Sequence, residues 1–147
     1  MHWKPALPVV KIVDFRVLQV YQRARAAANR IFELSCAWPD RERFNLTHQI
    51  RKSSRSVCAN IAEAWRKRLR YPAAWVSKLS DADGEAGETI VWLDFAMDAA
   101  YLPTSDGHEL MREYESICAM LVSMMDHPEQ WCGRRAVTLP GRSHRPE

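Results

Sequence analysis

Between Arg41 and Arg70 nine side chains are cationic: Arg41, Arg43, Arg51, Lys52, Arg55, Arg66, Lys67, Arg68 and Arg70. Only Glu42 and Glu63 oppose them, so the segment carries a net +7. Guanidinium and ammonium groups at this density neutralise phosphates, and each contact adds a salt-dependent increment to affinity. Arg51, Lys52, Arg55, Arg66, Arg68 and Arg70 are the candidate nucleic-acid-binding side chains. Arg68 is the weakest of the six, because a continued helix would aim it along the apolar stripe. From Tyr71 to Trp131 two cations, Lys78 and Arg112, face twelve carboxylates, a net of −10. Such a split suits an anionic partner on one face, or head-to-tail association of like subunits. The basic set is therefore open to three readings: phosphate binding, ion pairing with the acidic stretch, or plain solvation. Trp65 and Tyr71 sit among the charges, where they could stack on bases or close the end of the domain.

Other chemistry finds little support. Asp81, Asp83, Glu85 and Glu88 form an acidic run, but bundle metal sites use Glu-x-x-His pairs on facing helices. No Glu-x-x-His occurs, and His48, His108 and His127 are widely spread. Pairing of Glu85 or Glu88 with Arg51 or Arg55 is the expectation instead. No Ser/His/Asp or Cys/His set is arranged locally, and no Gly-rich phosphate loop is present. We therefore expect no catalytic residues, no metal and no cofactor. Cys36, Cys58, Cys118 and Cys132 lack C-x-x-C spacing and follow no secretory signal, which predicts reduced thiols in a cytoplasmic protein. No apolar run reaches the roughly 20 residues that a membrane span needs.

The basic residues need a scaffold, and periodicity supplies one. Ile50, Ser54, Val57, Ile61 and Ala64 recur at helical spacing on one side of a helix. Lys52, Arg55, Ala59, Arg66 and Arg70 fall on the opposite side. Gln49, Ser53, Ser56 and Asn60, extended by Glu63, form a polar seam at the stripe's edge. Its spacing predicts hydrogen bonds to an adjacent helix that fix register.

The chain of 147 residues, 47% hydrophobic and with only five glycines, fits one helical domain. Residues 1–13 read as an extended arm, since Pro5 and Pro8 disfavour a helix there. Asp14 is the expected N-cap of a first helix running to about Ala37, with Leu18, Tyr21, Ala28, Phe32 and Ser35 on its apolar line. Pro39 stops it, and the second helix runs from about Asp40–Arg43 to Lys67. Pro72 opens a third, with the stripe Trp75, Leu79, Ala82, Ala86, Ile90, Leu93, Met97 and Ala100. Trp92, Phe95 and Ala99 give this helix a second apolar side, which calls for another partner or another subunit. Gly84 and Gly87 within it predict a close helix approach. After Pro103, a fourth helix capped by Thr104 or Ser105 carries Leu110, Tyr114, Ile117, Leu121 and Met124 and ends near Pro128. The expectation is an all-α, up-down-up-down antiparallel four-helix bundle over 14–131, followed by a basic, disordered tail at 132–147.

The run Gln49-Ile50-Arg51-Lys52-Ser53-Ser54-Arg55-Ser56-Val57-Cys58-Ala59-Asn60-Ile61-Ala62-Glu63 resembles the signature Q-I-R-R-A-A-x-S-I-x-x-N-I-A-E-G. That signature marks a bacterial four-helix-bundle family. Its members include proteins encoded in intervening sequences of the large-subunit ribosomal RNA gene, and the accessory variability determinant of diversity-generating retroelements. Val20-Tyr21-Gln22-Arg23-Ala24 is similar to the family's V-W-Q-K-A, and Trp38-Pro39 to its F-P stop. Asp83-Gly84-Glu85 through Tyr101-Leu102 is similar to its stretch ending in G-Y-L/I. Ala64 departs from the family's glycine, and Lys52, Ser53 and Ser54 from R-A-A. The resemblance spans about Phe15 to Met125. It implies a homopentamer of four-helix protomers with a basic surface. For the retroelement members it also implies binding of nucleic acid or of a reverse transcriptase.

Together these features predict a non-enzymatic, oligomeric accessory protein that binds RNA or DNA through the basic face of the second helix, with a reverse transcriptase as a further partner. The alternative is a protein–protein scaffold whose charges serve self-assembly.

Overall fold

The computed structural model describes residues 12–133. The arm predicted over 1–13 lies outside them except for Ile12 and Val13, and the predicted tail except for Cys132 and Gly133. Four helices carry the fold: α1 (Gln19–Ser35), α2 (Leu46–Lys67), α3 (Pro72–Asp98) and α4 (Thr104–Asp126). Short 3-10 turns lie at Phe15–Val17, Asp40–Glu42 and Pro128–Gln130, and no strand occurs among the described residues.

Each helix packs on its chain neighbour, and α1 closes on α4, so the four surround one core. Cross-helix pairs run in opposite senses. Phe32 meets Arg55 where Ser35 meets Arg51. Ser53 meets Thr89 where Glu63 meets Lys78. Arg23 meets Glu113 where Arg30 meets Asp106. That order is the one antiparallel neighbours give.

The start of α1 differs from expectation. The Asp14 carboxylate does accept a backbone N–H, that of Arg16 at 3.2 Å, but it caps the 3-10 turn. Leu18 is then extended, and the helix begins at Gln19. A capping signal is local and does not specify which helix type follows. The buried line of α1 is Val20, Ala24, Ala27 and Ile31, flanked by Ala28 and Ser35. Phe32, assigned by periodicity to the apolar line, is instead 42% exposed. Similarly, the predicted start of the second helix is the 3-10 turn at Asp40–Glu42. The Glu42 carboxylate accepts the Leu46 N–H at 3.3 Å, satisfying one donor at the true start of α2.

The α2 stripe Ile50, Ser54, Val57, Ile61 and Ala64 is buried throughout, as is the α4 stripe from Leu110 to Met124. In α3 the buried line runs Trp75, Leu79, Ala82, Ala86, Thr89, Leu93, Ala96. Thr89 takes the place expected of Ile90, and Ala96 that of Met97. The Thr89 hydroxyl donates to the Glu85 carbonyl at 2.9 Å and shares a 2.9 Å hydrogen bond with Ser53. A polar residue so satisfied can be buried at little cost, which an apolar pattern does not reveal.

A Cβ added at Gly84 or Gly87 would meet nothing within 4 Å, so neither glycine permits a close approach within the chain. The tight glycine is Gly107, where a Cβ would collide with Sδ and Cγ of Met97. α4 starts at Thr104 behind Pro103, and neither Thr104 nor Ser105 caps it. α3 ends with Ala100 at φ 58°, a left-handed position that favours glycine. There the Tyr101 N–H reaches back to the Ala96 carbonyl at 2.9 Å.

Aromatic pairs close both ends. Trp75 donates to the Met124 carbonyl at 3.1 Å and stacks on Trp131, while Trp38 lies against Tyr101. Cys132, placed in the tail by sequence, is buried against this core. All four cysteines are free thiols, and burial pushes Cys58 up to about 11 and Cys118 up to about 12. Among the described residues, no helix is long and apolar enough to cross a membrane.

Candidate nucleic-acid interface

Burying the Ile50–Ala64 stripe turns the other side of α2 outward, between α1 and α3. Lys52, Arg55 and Arg66 are exposed on that side. At 1.5 Å per residue the row from Lys52 to Arg66 extends about 21 Å. Arg51 lies on the α1 flank. Its Nε donates to Ser35 Oγ at 2.8 Å, and its guanidinium sits 4.6 Å from the Phe32 ring centre. Arg55 flanks the same ring at 5.3 Å. A groove of about 310 Å³ collects Arg51, Lys52 and Arg55 with Arg43, Phe44, Thr47 and His48. At its edge the Arg43 guanidinium lies 5.3 Å from the ring of Phe44, which is 80% exposed.

The electrostatics separate these cations from those of α1 that face α4. On α1, Arg23 grips Glu113 with two hydrogen bonds of 2.7 and 2.9 Å, and Arg30 bridges Asp106 and Glu109 at 3.0 Å each. The Arg23 contact holds the Glu113 carboxyl below its usual range, against a smaller upward push from burial. On α2, Lys67 pairs with Glu63, which also meets Lys78. Among the described residues no ion pair involves Arg43, Arg51, Lys52, Arg55, Arg66 or Arg70. The expected pairing of Arg51 or Arg55 with Glu85 or Glu88 is absent, because those arginines flank α1 whereas the carboxylates lie on α3. Glu88 instead accepts from Trp92 Nε1 at 3.2 Å. Burial, then repulsion from Glu88, raises the Glu85 carboxyl, and Lys52 partly opposes this.

The six predicted side chains thus divide. Arg51, Lys52 and Arg55 converge on the groove, Arg66 continues their face, and Arg70 is exposed beyond the helix end. Arg68 turns away. Its guanidinium covers the Trp65 ring at 3.4 Å and donates to the Trp65 carbonyl at 2.8 Å. Burial there lowers its pKa from the ordinary arginine value. Trp65 itself is buried, whereas Tyr71 is exposed.

The polar seam faces α3. Ser53 is buried on Thr89, and Glu63 reaches Lys78. Asn60 donates to the Ser56 carbonyl of its own helix at 3.0 Å, and Gln49 borders a second groove with Trp92 and Phe95. Sequence reasoning missed Phe32, Arg43, Phe44 and His48 as members of the site. Arg43 and Phe44 precede α2 and so have no periodic signal. Phe32 looked like core, and only its step outside the Val20–Ile31 line distinguishes it.

The model of the 23S rRNA-intervening sequence protein family matches residues 16–123. The chain belongs to that family. The match takes in all of α2, and with it Arg43, Phe44 and every groove cation. A solved structure from Bacteroides thetaiotaomicron VPI-5482, described as a protein with unknown function from the S23 ribosomal protein family, is similar to the chain. The two are 26% identical with a TM-score of 0.65, and the similarity covers 73% of this chain and 95% of that one. No functionally curated protein matches the chain.

Proposed function

We propose that this protein is a non-enzymatic, oligomeric accessory protein that binds RNA or DNA in the cytoplasm through the outward face of α2. The observation that carries this reading is the contrast between two sets of cations. Arg23 and Arg30 are spent on carboxylates of α4, while Arg43, Arg51, Lys52, Arg55 and Arg66 form no ion pair among the described residues. Membership of a family named for a ribosomal RNA insertion supports an RNA-related role. Arg51, Lys52, Arg55 and Arg66 are the principal contacts, with Arg70 extending the face. Arg68, folded over Trp65 and bonded to its carbonyl, is left out of the proposed contacts. Of the polar seam Gln49, Ser53, Ser56, Asn60 and Glu63, we assign register-holding to Ser53 and Glu63, which reach α3. Asn60 bonds within α2, and among the described residues no cross-helix hydrogen bond is made by Gln49, Ser56 or Asn60.

A filter-binding series over salt tests this. Binding should weaken steeply as salt rises, and Arg55→Glu with Arg66→Glu should remove most of it. No retention of RNA or DNA at low salt, or retention unchanged in the double variant, would sink the proposal.

A second observation favours self-assembly alongside it. Phe44, Leu46, Trp92, Phe95, Ala99 and Tyr101 line an apolar groove of about 380 Å³, and Phe95 is 55% exposed. Apolar surface rimmed by polar groups suits a protein contact, and a second copy of the chain is the occupant we propose, in the pentamer implied by the family resemblance. A monomeric mass by light scattering at high concentration and moderate salt would refute it. A reverse transcriptase is a further proposed partner, to be tested by co-purification from the native organism. If the assembly forms and no nucleic acid binds, the charged faces serve the scaffold alone.

A further inference from the structure

The groove holds more than charge: Phe44 lines it, Phe32 lies beside it against two of its arginines, and both rings speak to the form of the nucleic acid. Neither Phe32 nor Phe44 is a buried residue of the hydrophobic core. Phe32 is 42% exposed in the last turn of α1, and Phe44 is 80% exposed just before α2. Leaving a phenyl ring in water forfeits the stabilisation that burial would bring. The two rings also share their surroundings. Arg51 and Arg55 flank Phe32 at 4.6 and 5.3 Å and line the same groove as Arg43 and Phe44. Guanidinium planes are stacking surfaces in their own right. Ring and guanidiniums therefore form one π-bearing strip, and Lys52 and His48 line the groove beside it.

We infer that this interface is selective for single-stranded nucleic acid, with bases stacking on the Phe32–Arg51–Arg55 and Arg43–Phe44 surfaces and the backbone running over Lys52 and Arg55. The inference rests on the nucleic-acid reading above and narrows it to a substrate class. A positively charged groove combined with aromatic platforms is the arrangement that holds single strands without regard to sequence. In a duplex the base faces are already stacked on one another, so the rings have nothing to gain there. Phosphates alone would be met by the cations in either form. The basic groove and its rings thus make different predictions, and substitutions at the rings separate them.

Fluorescence anisotropy with the full chain provides the test. The probes are unstructured uridine and deoxythymidine strands of about 20 nucleotides and a duplex of similar length, in about 0.1 M salt. Both single strands should bind more tightly than the duplex. Phe32→Leu keeps an apolar side chain of similar reach but removes the π-face. It should weaken single-strand binding about fivefold or more and leave duplex binding within about twofold, as expected for the loss of one stacked base. Phe32→Trp should restore the single-strand affinity. Tighter binding of the uridine strand would identify RNA as the source, and equal binding would make the site indifferent to the sugar.

Equal affinity for strand and duplex, with Phe32→Leu changing neither, overturns the inference and leaves the nucleic-acid reading intact. Failure of all three probes to bind overturns both. Phe44 also borders the apolar groove with Trp92 and Phe95, so Phe44→Ala is read by anisotropy and light scattering together. A fall in assembly mass with unchanged single-strand affinity assigns Phe44 to a protein contact and overturns its share of the inference. A change in mass for Phe32→Leu does the same for Phe32.

Discussion

Tyr114→Phe should stabilise the protein. Tyr114 is fully buried on the α4 stripe, yet its hydroxyl has no hydrogen-bond partner. The Ser54 hydroxyl, whose proton goes to the Arg51 carbonyl at 3.2 Å, is the nearest candidate and weakly lowers the phenol's pKa, but it lies outside hydrogen-bond geometry to the Tyr114 oxygen. A buried polar group left unpaired carries a desolvation penalty of about 1–3 kcal/mol. Removing the oxygen relieves that penalty and leaves a gap smaller than a methyl group, which costs under about 1 kcal/mol. The net gain is about 0.5–2 kcal/mol. Unfolding entropy is roughly 2.1 cal/mol/K per residue, so for a domain of this size each kcal/mol raises Tm by about 3 °C. Thermal and urea unfolding near neutral pH, with thiols kept reduced, should show Tm raised by about 2–6 °C.

The same residue sets an alkaline signature. Burial raises the Tyr114 phenol above its ordinary value of 10.0. The unfolded chain releases this proton near pH 10 while the folded chain keeps it. Stability from Tyr114 is therefore complete below that point and falls as pH rises above it. At pH 11 the loss from this one group is about 1.4 kcal/mol. Cys58 and Cys118, held at about 11 and about 12 against an ordinary 9.0, add losses from pH 9 upward in wild type and variant alike. The gap in stability between Tyr114→Phe and wild type should therefore widen between pH 9 and 11. A Tm lowered by more than about 3 °C would mean that the hydroxyl is paired and the reasoning wrong, and an unchanged alkaline slope would mean that the phenol is not held above its ordinary value.

Ala100→Gly should raise stability by about 0.5–1 kcal/mol, since φ 58° suits glycine at a helix C-terminus; differential scanning calorimetry reads the change. Gly84→Ala should also stabilise, by up to about 1 kcal/mol, because the added methyl meets nothing and the helix gains propensity. Gly107→Ala should lower Tm in the same measurement, because Met97 must move to make room. Arg23→Gln should flatten the acid limb of a urea-stability profile. Arg23 depresses the Glu113 pKa, so the stabilisation is present above the ordinary glutamate value of 4.5 and is lost as pH falls. Both side chains are about one-third exposed, which screens the pair and keeps the effect near neutrality to about 1 kcal/mol or less.

The number of helices, the core face of α2 and that of α4 are legible in the sequence. Each depends on the spacing of apolar residues along one segment, and prolines at 39, 72, 103 and 128 mark the breaks. The outward direction of Lys52, Arg55 and Arg66 follows from the same spacing. Other features needed the assembled bundle. Whether an arginine is free or paired depends on what the facing helix presents. Arg23 and Arg30 meet carboxylates of α4, whereas Arg51 and Arg55 meet a phenyl ring of α1. Thr89 is buried where Ser53 stands opposite it and the Glu85 carbonyl of its own helix accepts its proton. The rotation of α1 puts Phe32 outside the core, and no local rule sets that rotation, since it is chosen by the joint packing of Val20, Ala24, Ala27 and Ile31 on two neighbouring helices. The sequence by itself therefore determined the elements and the sign of the α2 face. Tertiary packing decided which charges stay free and which rings join them, because both depend on residues far apart in the chain.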